Sequence, residues 1–164
     1  MTRWYSLGTA DAGIFTSAPL IFTYEKRFAA PPDRVWESLE SDESLSAWSS
    51  AVKELTWLTP RPFGVGTVRE VVLASGIARV HEHFFRWDEG RGYSFYVTEA
   101  TAPGLSRMAE DYVVVPDEDG TIFRWTVAVE PKGPLTLPFK VLGPGLKAAF
   151  GKVASDGERY FART

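Results

Sequence analysis

The chain has 164 residues, of which 45% are hydrophobic and 24% charged, and a formal net charge of −3. This length suits one domain with a full core. The acidic balance, without any basic run, argues against a surface for nucleic acid or for anionic membranes. Cysteine is absent, which excludes disulfides, thiolate metal sites and a cysteine nucleophile.

Membrane spans and secretion signals are also not expected. No apolar run reaches the length of a transmembrane helix, and the first residues lack the uninterrupted apolar core of a signal peptide. We therefore predict a soluble cytoplasmic protein with no membrane insertion and no nucleic-acid partner.

The N-terminal third predicts a strand followed by two short helices. Residues 1–18 are mixed and punctuated by glycine, so we predict an N-terminal extension ahead of a domain at 19–164. The run 20–28 is apolar and strand-like. Pro31-Pro32 then suits the opening of a helix, where a missing N–H costs nothing. A second short helix carries Leu45 and Trp48 on its inner side.

The rest of the chain predicts a run of strands and one long helix. Glycine-rich and Asp-Gly turns separate the strands. The helix is amphipathic and runs from about 142 to 162. The strand candidates are 51–58, 66–74, 77–87, 92–100, 106–116 and 121–130.

This order of elements resembles the START-like (SRPBCC) superfamily, specifically its polyketide cyclase/dehydrase and lipid-transport branch. The resemblance spans about residues 20–162. It implies an α+β helix-grip fold, in which a curved antiparallel sheet wraps around a long C-terminal helix and two short helices follow the first strand. The motifs that carry it are Pro31-Pro32 with Val35-Trp36, the Trp87-Asp88 turn, and Asp119-Gly120-Thr121 followed by Trp125.

Strand periodicity assigns side chains to the two faces of the sheet, and a one-residue slip exchanges them. Both faces of the third strand candidate contain aromatic residues. We predict that His81, His83, Phe85 and Trp87 face inward. A five-residue hairpin loop at 88–92 would then place them opposite the next strand. The predicted pairs are Trp87 with Tyr93, Phe85 with Phe95, His83 with Val97, and His81 with Glu99.

The predicted site is an apolar, aromatic wall with a small group of polar side chains, as small-molecule sites commonly are. Among the polar residues, the candidates for acid/base chemistry are His81, His83, Glu99 and Glu110. The predicted ligand-binding residues are Arg69, His81, His83, Phe85, Phe95, Val97, Glu99, Met108, Glu110, Tyr112, Trp125 and Phe150.

Two histidines at positions i and i+2 of a strand project the same way and could share a metal with Glu99 or Glu110. The rest of the sequence supplies no metal motif, and the folds that the chain resembles generally work without one. We predict no metal and no cofactor.

Two functions of different class follow. The first is binding or transport of a hydrophobic small molecule, such as a lipid, isoprenoid or polyketide-like compound, in an internal cavity. The alternative is a polyketide cyclase/dehydratase-type enzyme that uses cavity histidine or glutamate as acid/base groups. In the cyclases that the chain resembles, an arginine lies in the cavity three residues before the turn aspartate. Phe85 stands there in this chain, which favours the binder.

Overall fold

The computed structural model describes residues 1–76 and 78–163, apart from the side chain of Ser75. The predicted strand 77–87 and the predicted domain 19–164 therefore include Ile77 and Thr164, which lie outside the described residues. In chain order the elements are β1 (Tyr5–Ser6), α1 (Ile14–Ser17), β2 (Leu20–Phe28), α2 (Pro32–Leu39), α3 (Leu45–Trp48), β3 (Val52–Trp57), β4 (Val68–Leu73), β5 (Arg79–Asp88), β6 (Gly92–Ala100), β7 (Leu105–Asp117), β8 (Gly120–Pro131) and α4 (Thr136–Ala162).

The helix after β2 begins where the prolines permit it. Pro31 caps the helix in an extended conformation and Pro32 is its first residue, a position where no N–H is needed. The recurring apolar residues Val35, Trp36 and Leu39 are buried. Local chemistry therefore sets both the start of α2 and the direction in which it packs.

The strands form one antiparallel sheet in the order β2-β8-β7-β6-β5-β4-β3. The sheet is curled, and α4 packs against its inner face, chiefly over β2. This arrangement confirms the predicted helix-grip fold. From here on, the inner face is the one toward α2, α3 and α4, and the outer face is the opposite one.

The inner face holds the larger core. At the centre of this core, α4 packs closely against α3. The ring of Phe28 lies 4.9 Å from that of Phe123 and 5.0 Å from that of Phe161. A Cβ on Gly157 would come within 2.8 Å of the Trp48 ring. Glycine is needed there because any side chain would push α4 away from α3.

The first 18 residues pack on the outer face. Tyr5 and Ser6 pair with the end of β6, and the buried Ile14 of α1 contacts Ala109 and Ala128 on β7 and β8. The division into an extension and a separate domain stays a prediction.

Helix α4 starts six residues earlier than the sequence pattern indicated. Pro138 lies in its first turn, where the backbone nitrogens have no partner within the helix, so the proline is tolerated. Pro144 lies further inside the helix. Among the described residues, no helix combines the length and the apolar character needed to cross a bilayer.

Candidate functional site

Most of the predicted ligand-binding residues lie on the inner face of the sheet or on the helix that covers it. Their role in binding stays a prediction, but the fold brings them to one side. They are Arg69, Phe95, Val97, Met108, Glu110, Tyr112, Trp125 and Phe150.

The predicted inner face of β5 is wrong for His81, His83 and Phe85, which lie on the outer face. The buried residues that face the core are their neighbours Glu82 and Phe84. Because this strand carries aromatic residues on both faces, hydrophobicity alone could not distinguish the inner face from the outer one.

Two irregularities in the pairing of β5 with β6 explain why part of the predicted register is nevertheless correct. Trp87 opposes Tyr93 and His81 opposes Glu99, as predicted. Between these pairs the register shifts twice, so that Phe84, rather than Phe85, opposes Phe95. Each shift changes which side chains face inward. The end pairs alone therefore could not fix the faces between them.

A buried ion pair crosses the inner face from β4 to β5. Arg69 donates a hydrogen bond from Nε to Oε2 of Glu82, and the Arg69 side chain has no exposed area. Burial alone would lower the pKa of Arg69, but the negative charge of Glu82 raises it above its ordinary value, so the guanidinium stays charged. Burial raises the pKa of Glu82, and Arg69 opposes that effect.

Aromatic rings surround the guanidinium on several sides. Its Cζ lies 5.0 Å from the ring centres of Phe84 and Phe95, 5.2 Å from that of Trp57 and 5.5 Å from that of Tyr93. These are cation–π distances, and they hold the charged group in one orientation. The cation is therefore fixed by the strands on either side of it.

One nitrogen of Arg69 remains without a partner. Nε is bonded to Glu82, and Nη1 lies 3.3 Å from the hydroxyl of Tyr93. Nη2 is buried and is the one buried side-chain nitrogen or oxygen without a hydrogen bond in the part of the chain that the structure describes. Leaving a buried charged donor unmet costs free energy, so this atom marks a place where an acceptor is missing.

Glu110 on β7 is the second buried acid of the inner face. Its Oε2 accepts hydrogen bonds from the hydroxyl of Tyr112 and from Nε1 of Trp125, both at 2.9 Å. Burial, with the charge of Glu82 adding to it, raises the pKa of Glu110 to about 8, and the two hydrogen bonds oppose this only in part. At neutral pH Glu110 is mainly a neutral carboxylic acid, which can donate a hydrogen bond.

The tyrosines of the inner face also stay protonated. Burial raises the pKa of Tyr93, and burial together with the charge of Glu110 raises the pKa of Tyr112. Arg69, Glu82, Tyr93, Glu110 and Tyr112, with Trp125, form what we call the inner polar cluster. Its charges and hydroxyls sit in an otherwise aromatic wall, so it can orient one polar group of a largely apolar molecule.

Neither Glu82 nor Tyr93 is among the ligand-binding residues predicted from the sequence. Glu82 lies between His81 and His83, so predicting that the histidines face inward placed Glu82 on the outer face. A buried arginine at position 69 needs an acidic partner, and the adjacent strand offers one directly opposite, since Arg69 pairs in register with Glu82. This pairing of opposite charges was the sequence feature that could have identified Glu82.

The histidines serve a different cluster on the outer face. The two ring nitrogens of His81 lie 2.8 Å from carboxylate oxygens of Glu70 and Glu99, and Trp4 stacks on the ring at 4.4 Å. We call these four residues the outer polar cluster. His83 stacks on Tyr96 at 5.1 Å. Within residues 1–76 and 78–163 no group of three or more histidine, aspartate or glutamate side chains is arranged to hold a metal ion.

A surface cleft of about 470 Å³ lies between α3 and α4, away from the inner polar cluster. Its charged lining includes Asp156, which pairs with both Lys152 and Arg159. Arg163 also lines the cleft, so cations outnumber acids there. Lys152 and Arg159 are more than half exposed and hydrated by water, whereas Nη2 of Arg69 is buried without a partner.

The chain is similar to proteins of one known family. Residues 19–158 match the family model described as polyketide cyclase / dehydrase and lipid transport. An uncharacterized protein of Mycobacterium tuberculosis (strain ATCC 25618 / H37Rv), Rv2574, is 29% identical over 144 residues, which cover 88% of this chain and 86% of the relative. An uncharacterized protein of Mycobacterium bovis, Mb2604, matches with the same identity and coverage.

Solved structures are similar in fold. A protein of Thermus thermophilus, TTHA0849, superposes with a TM-score of 0.71 at 21% identity, covering 88% of this chain and 98% of that one. Ara h 8.0201 superposes with a TM-score of 0.68 at 19% identity, covering 88% and 99%. The family and the fold together support hydrophobic ligand binding in general.

Proposed function

The chain belongs to the polyketide cyclase/dehydrase and lipid transport family, and on that premise we propose that it binds a hydrophobic small molecule between α4 and the inner face of its sheet. The observation that carries the proposal is the buried, unpartnered Nη2 of Arg69. A ligand with an apolar body and an oxygen acceptor would supply the missing partner. Lipids, isoprenoids and polyketide-like compounds include such molecules.

The aromatic wall supports an apolar ligand body. Trp57, Phe84 and Phe95 surround the guanidinium, and the ring of Phe150 from α4 lies 5.9 Å from that of Trp125. Apolar surface removed from water contributes about 25 cal/mol per Å². The rings would therefore provide most of the affinity, and the polar cluster the orientation.

The polar cluster supports an acceptor on the ligand. Arg69 offers an N–H, and Glu110 in its neutral form offers an O–H. Two donors on one face favour a carbonyl, carboxylate or sulfonate oxygen over an amine.

A pair of fluorescent probes tests this selectivity. Anilinonaphthalene sulfonate carries an anionic group, whereas phenylnaphthylamine has the same rings and no charge. The variant Arg69→Met/Glu82→Gln removes both charges of the pair together, so that neither is left buried alone. We expect the double variant to bind the sulfonate at least tenfold more weakly, because a hydrogen bond to a charged group is lost, and to bind the uncharged probe as before.

The matched control is an ion pair on the outer face of the same sheet. Arg86 donates to Asp111 at 2.8 Å and to Ser94 at 2.9 Å. The variant Arg86→Met/Asp111→Asn should leave both probes unaffected. Equal loss of the two probes in the Arg69→Met/Glu82→Gln variant, or equal effects of the two double variants, would contradict the proposal.

A second candidate function is catalysis of the cyclase/dehydratase type, and the pKa of Glu110 favours it. A general acid works best when its pKa lies near the operating pH, and burial raises that of Glu110 to about 8. Arg69 would polarise a carbonyl oxygen. His81 and His83 take no part in this version, since they lie on the outer face. Turnover of a bound compound by the native protein that falls at least tenfold in Glu110→Gln would establish it.

A further inference from the structure

The first half of α4 turns an apolar face toward solvent. Leu137 and Val141 are 71% and 73% exposed, and Leu142 is 61% exposed. Residues three and four apart share one side of a helix, so Leu137 and Val141 lie on the same side. Exposed alanines at 148 and 149 follow further along.

No acidic side chain interrupts this segment. Between residues 131 and 155 the charged residues are Lys132, Lys140, Lys147 and Lys152, and none is negative, although the whole chain carries a net charge of −3. Lys140 and Lys147 are exposed and lie to one side of the row formed by Leu137 and Val141. The helix therefore presents an apolar strip with a cationic margin.

Other contacts fix this strip on the outside of the molecule. Gly143 and the partly buried Phe139 face the protein, and the Leu135 side chain lies 3.2 Å from where a Cβ of Gly104 would be. Rotating α4 to bury Leu137 and Val141 would expose Phe139 and Gly143 in their place. The exposed apolar side chains are thus a consequence of the packing and cannot be hidden by a small adjustment.

We propose that this face of α4 docks onto an anionic lipid surface. Helices that lie in the membrane interface combine exposed large apolar residues with lysines beside them, whose long side chains reach the headgroups. The positive charges complement an anionic bilayer, and a protein partner would have to be acidic as well as apolar to match both features. The protein would adsorb to the bilayer without spanning it.

Vesicle sedimentation tests the proposal with the full chain. We expect the protein to bind vesicles of phosphatidylcholine mixed with phosphatidylglycerol, to bind pure phosphatidylcholine much less, and to release as salt is raised. Leu137→Asp/Val141→Asp should abolish binding. Lys140→Gln/Lys147→Gln should lower the partition coefficient about 25-fold, because each lysine near an anionic surface contributes about fivefold.

Matched control variants distinguish vesicle binding by this face of α4 from nonspecific binding by other exposed apolar or basic side chains. Leu58 and Val65 are also exposed, and they lie on the connection from β3 to β4 at the other end of the sheet. Leu58→Asp/Val65→Asp and Lys26→Gln/Lys53→Gln should bind vesicles like the unchanged protein. All changed positions except Lys26 are fully on the surface, and an unchanged thermal midpoint in each variant shows that the fold is kept.

Two results would overturn the proposal. One is failure to bind the mixed vesicles at low salt. The other is a concentration-dependent dimer in solution that Leu137→Asp/Val141→Asp abolishes, which would assign the face to a second copy of the chain. Neither result bears on the probe experiment, because Arg69 and the α4 surface are changed in separate variants.

Discussion

The inner and outer faces of β4, β5 and β6 each carry a cluster of acidic and basic side chains. The two clusters differ in whether every nitrogen of the basic group has a hydrogen-bond partner within the chain. In the outer polar cluster both nitrogens of His81 meet carboxylates, and Trp4 covers the ring. In the inner polar cluster Arg69 is more deeply buried, yet one of its nitrogens meets nothing. A polar group that the chain itself completes holds structure together, whereas a buried one that it leaves incomplete points to a ligand.

The largest expected difference between the two faces concerns the loss of one cation from an ion pair. Arg69→Met leaves the Glu82 carboxylate buried without a partner, and we expect a loss of about 3 to 5 kcal/mol in the free energy of unfolding. Arg86→Met on the outer face leaves a carboxylate that water reaches, so the loss there should be about 1 kcal/mol or less. Urea denaturation of both variants provides the comparison, and equal losses would show that the inner face is wetter than the structure indicates.

The next effect depends on pH. Because the pKa of Glu110 is raised from 4.5 to about 8 in the fold, folding favours its protonated form. This contribution to stability is fully present below pH 4.5 and is lost as the pH rises through about 8.

The Glu110→Gln variant isolates that contribution. At about pH 4 the variant and the unchanged protein should respond alike to further acidification, and the variant should gain about 2 to 4 kcal/mol relative to it by about pH 8, since each pKa unit corresponds to about 1.4 kcal/mol. Thermal unfolding across this range measures the gain. A constant difference between the two proteins at all pH values would mean that folding does not shift the pKa of Glu110.

A smaller effect is expected in the outer polar cluster. Trp4→Ala removes a ring stacked at 4.4 Å on His81 and should cost about 1 kcal/mol of stability. Binding of anilinonaphthalene sulfonate should stay unchanged, because the ring lies on the far side of the sheet. A weaker sulfonate affinity in this variant would show that the two faces are coupled.

The smallest expected effect comes from Phe85→Arg, which places an arginine at the position where the resemblance to cyclases implies one. Phe85 lies on the outer face, with its ring 6.4 Å from that of Phe15 and 6.0 Å from that of Tyr96. The new guanidinium would extend toward solvent, so the affinity for the sulfonate probe should change by less than about twofold. A tenfold gain in affinity would mean that the strand can shift its register to turn this residue inward.

The sequence was sufficient for the fold because its signals were local and repeated. Proline at the start of α2, turns between strands and the amphipathic pattern of α4 each specify an element, and their order leaves few topologies. The faces of β7 and β8 could also be read, since Tyr112 and Trp125 belong to regular runs. The same reasoning failed on β5 because its pairing with β6 is irregular. The register shifts at two places, and no residue type in the sequence indicates where.

The candidate site was predicted only in part for the same reason. Arg69, Glu110 and Tyr112 lie where the strand pairing is regular and are among the predicted ligand-binding residues. Glu82 was missed because the inner face of β5 was predicted wrongly. The cationic margin of α4 was also missed, because its lysines are spread along the helix and form no basic run. Lys140 and Lys147 can be seen to flank one exposed strip only when it is known which side of the helix is buried.

Pro144 inside α4 has a mechanical consequence. A proline has no N–H, so the carbonyl of Lys140 loses its partner one turn ahead, and the glycines at 143 and 145 add backbone freedom on either side. Beyond this point α4 is locked to α3 by the contact at Gly157. The backbone hydrogen bonding of α4 is thus weakest at Pro144, so a bend at this point would change the angle between its first half and the sheet while its second half stays packed against α3.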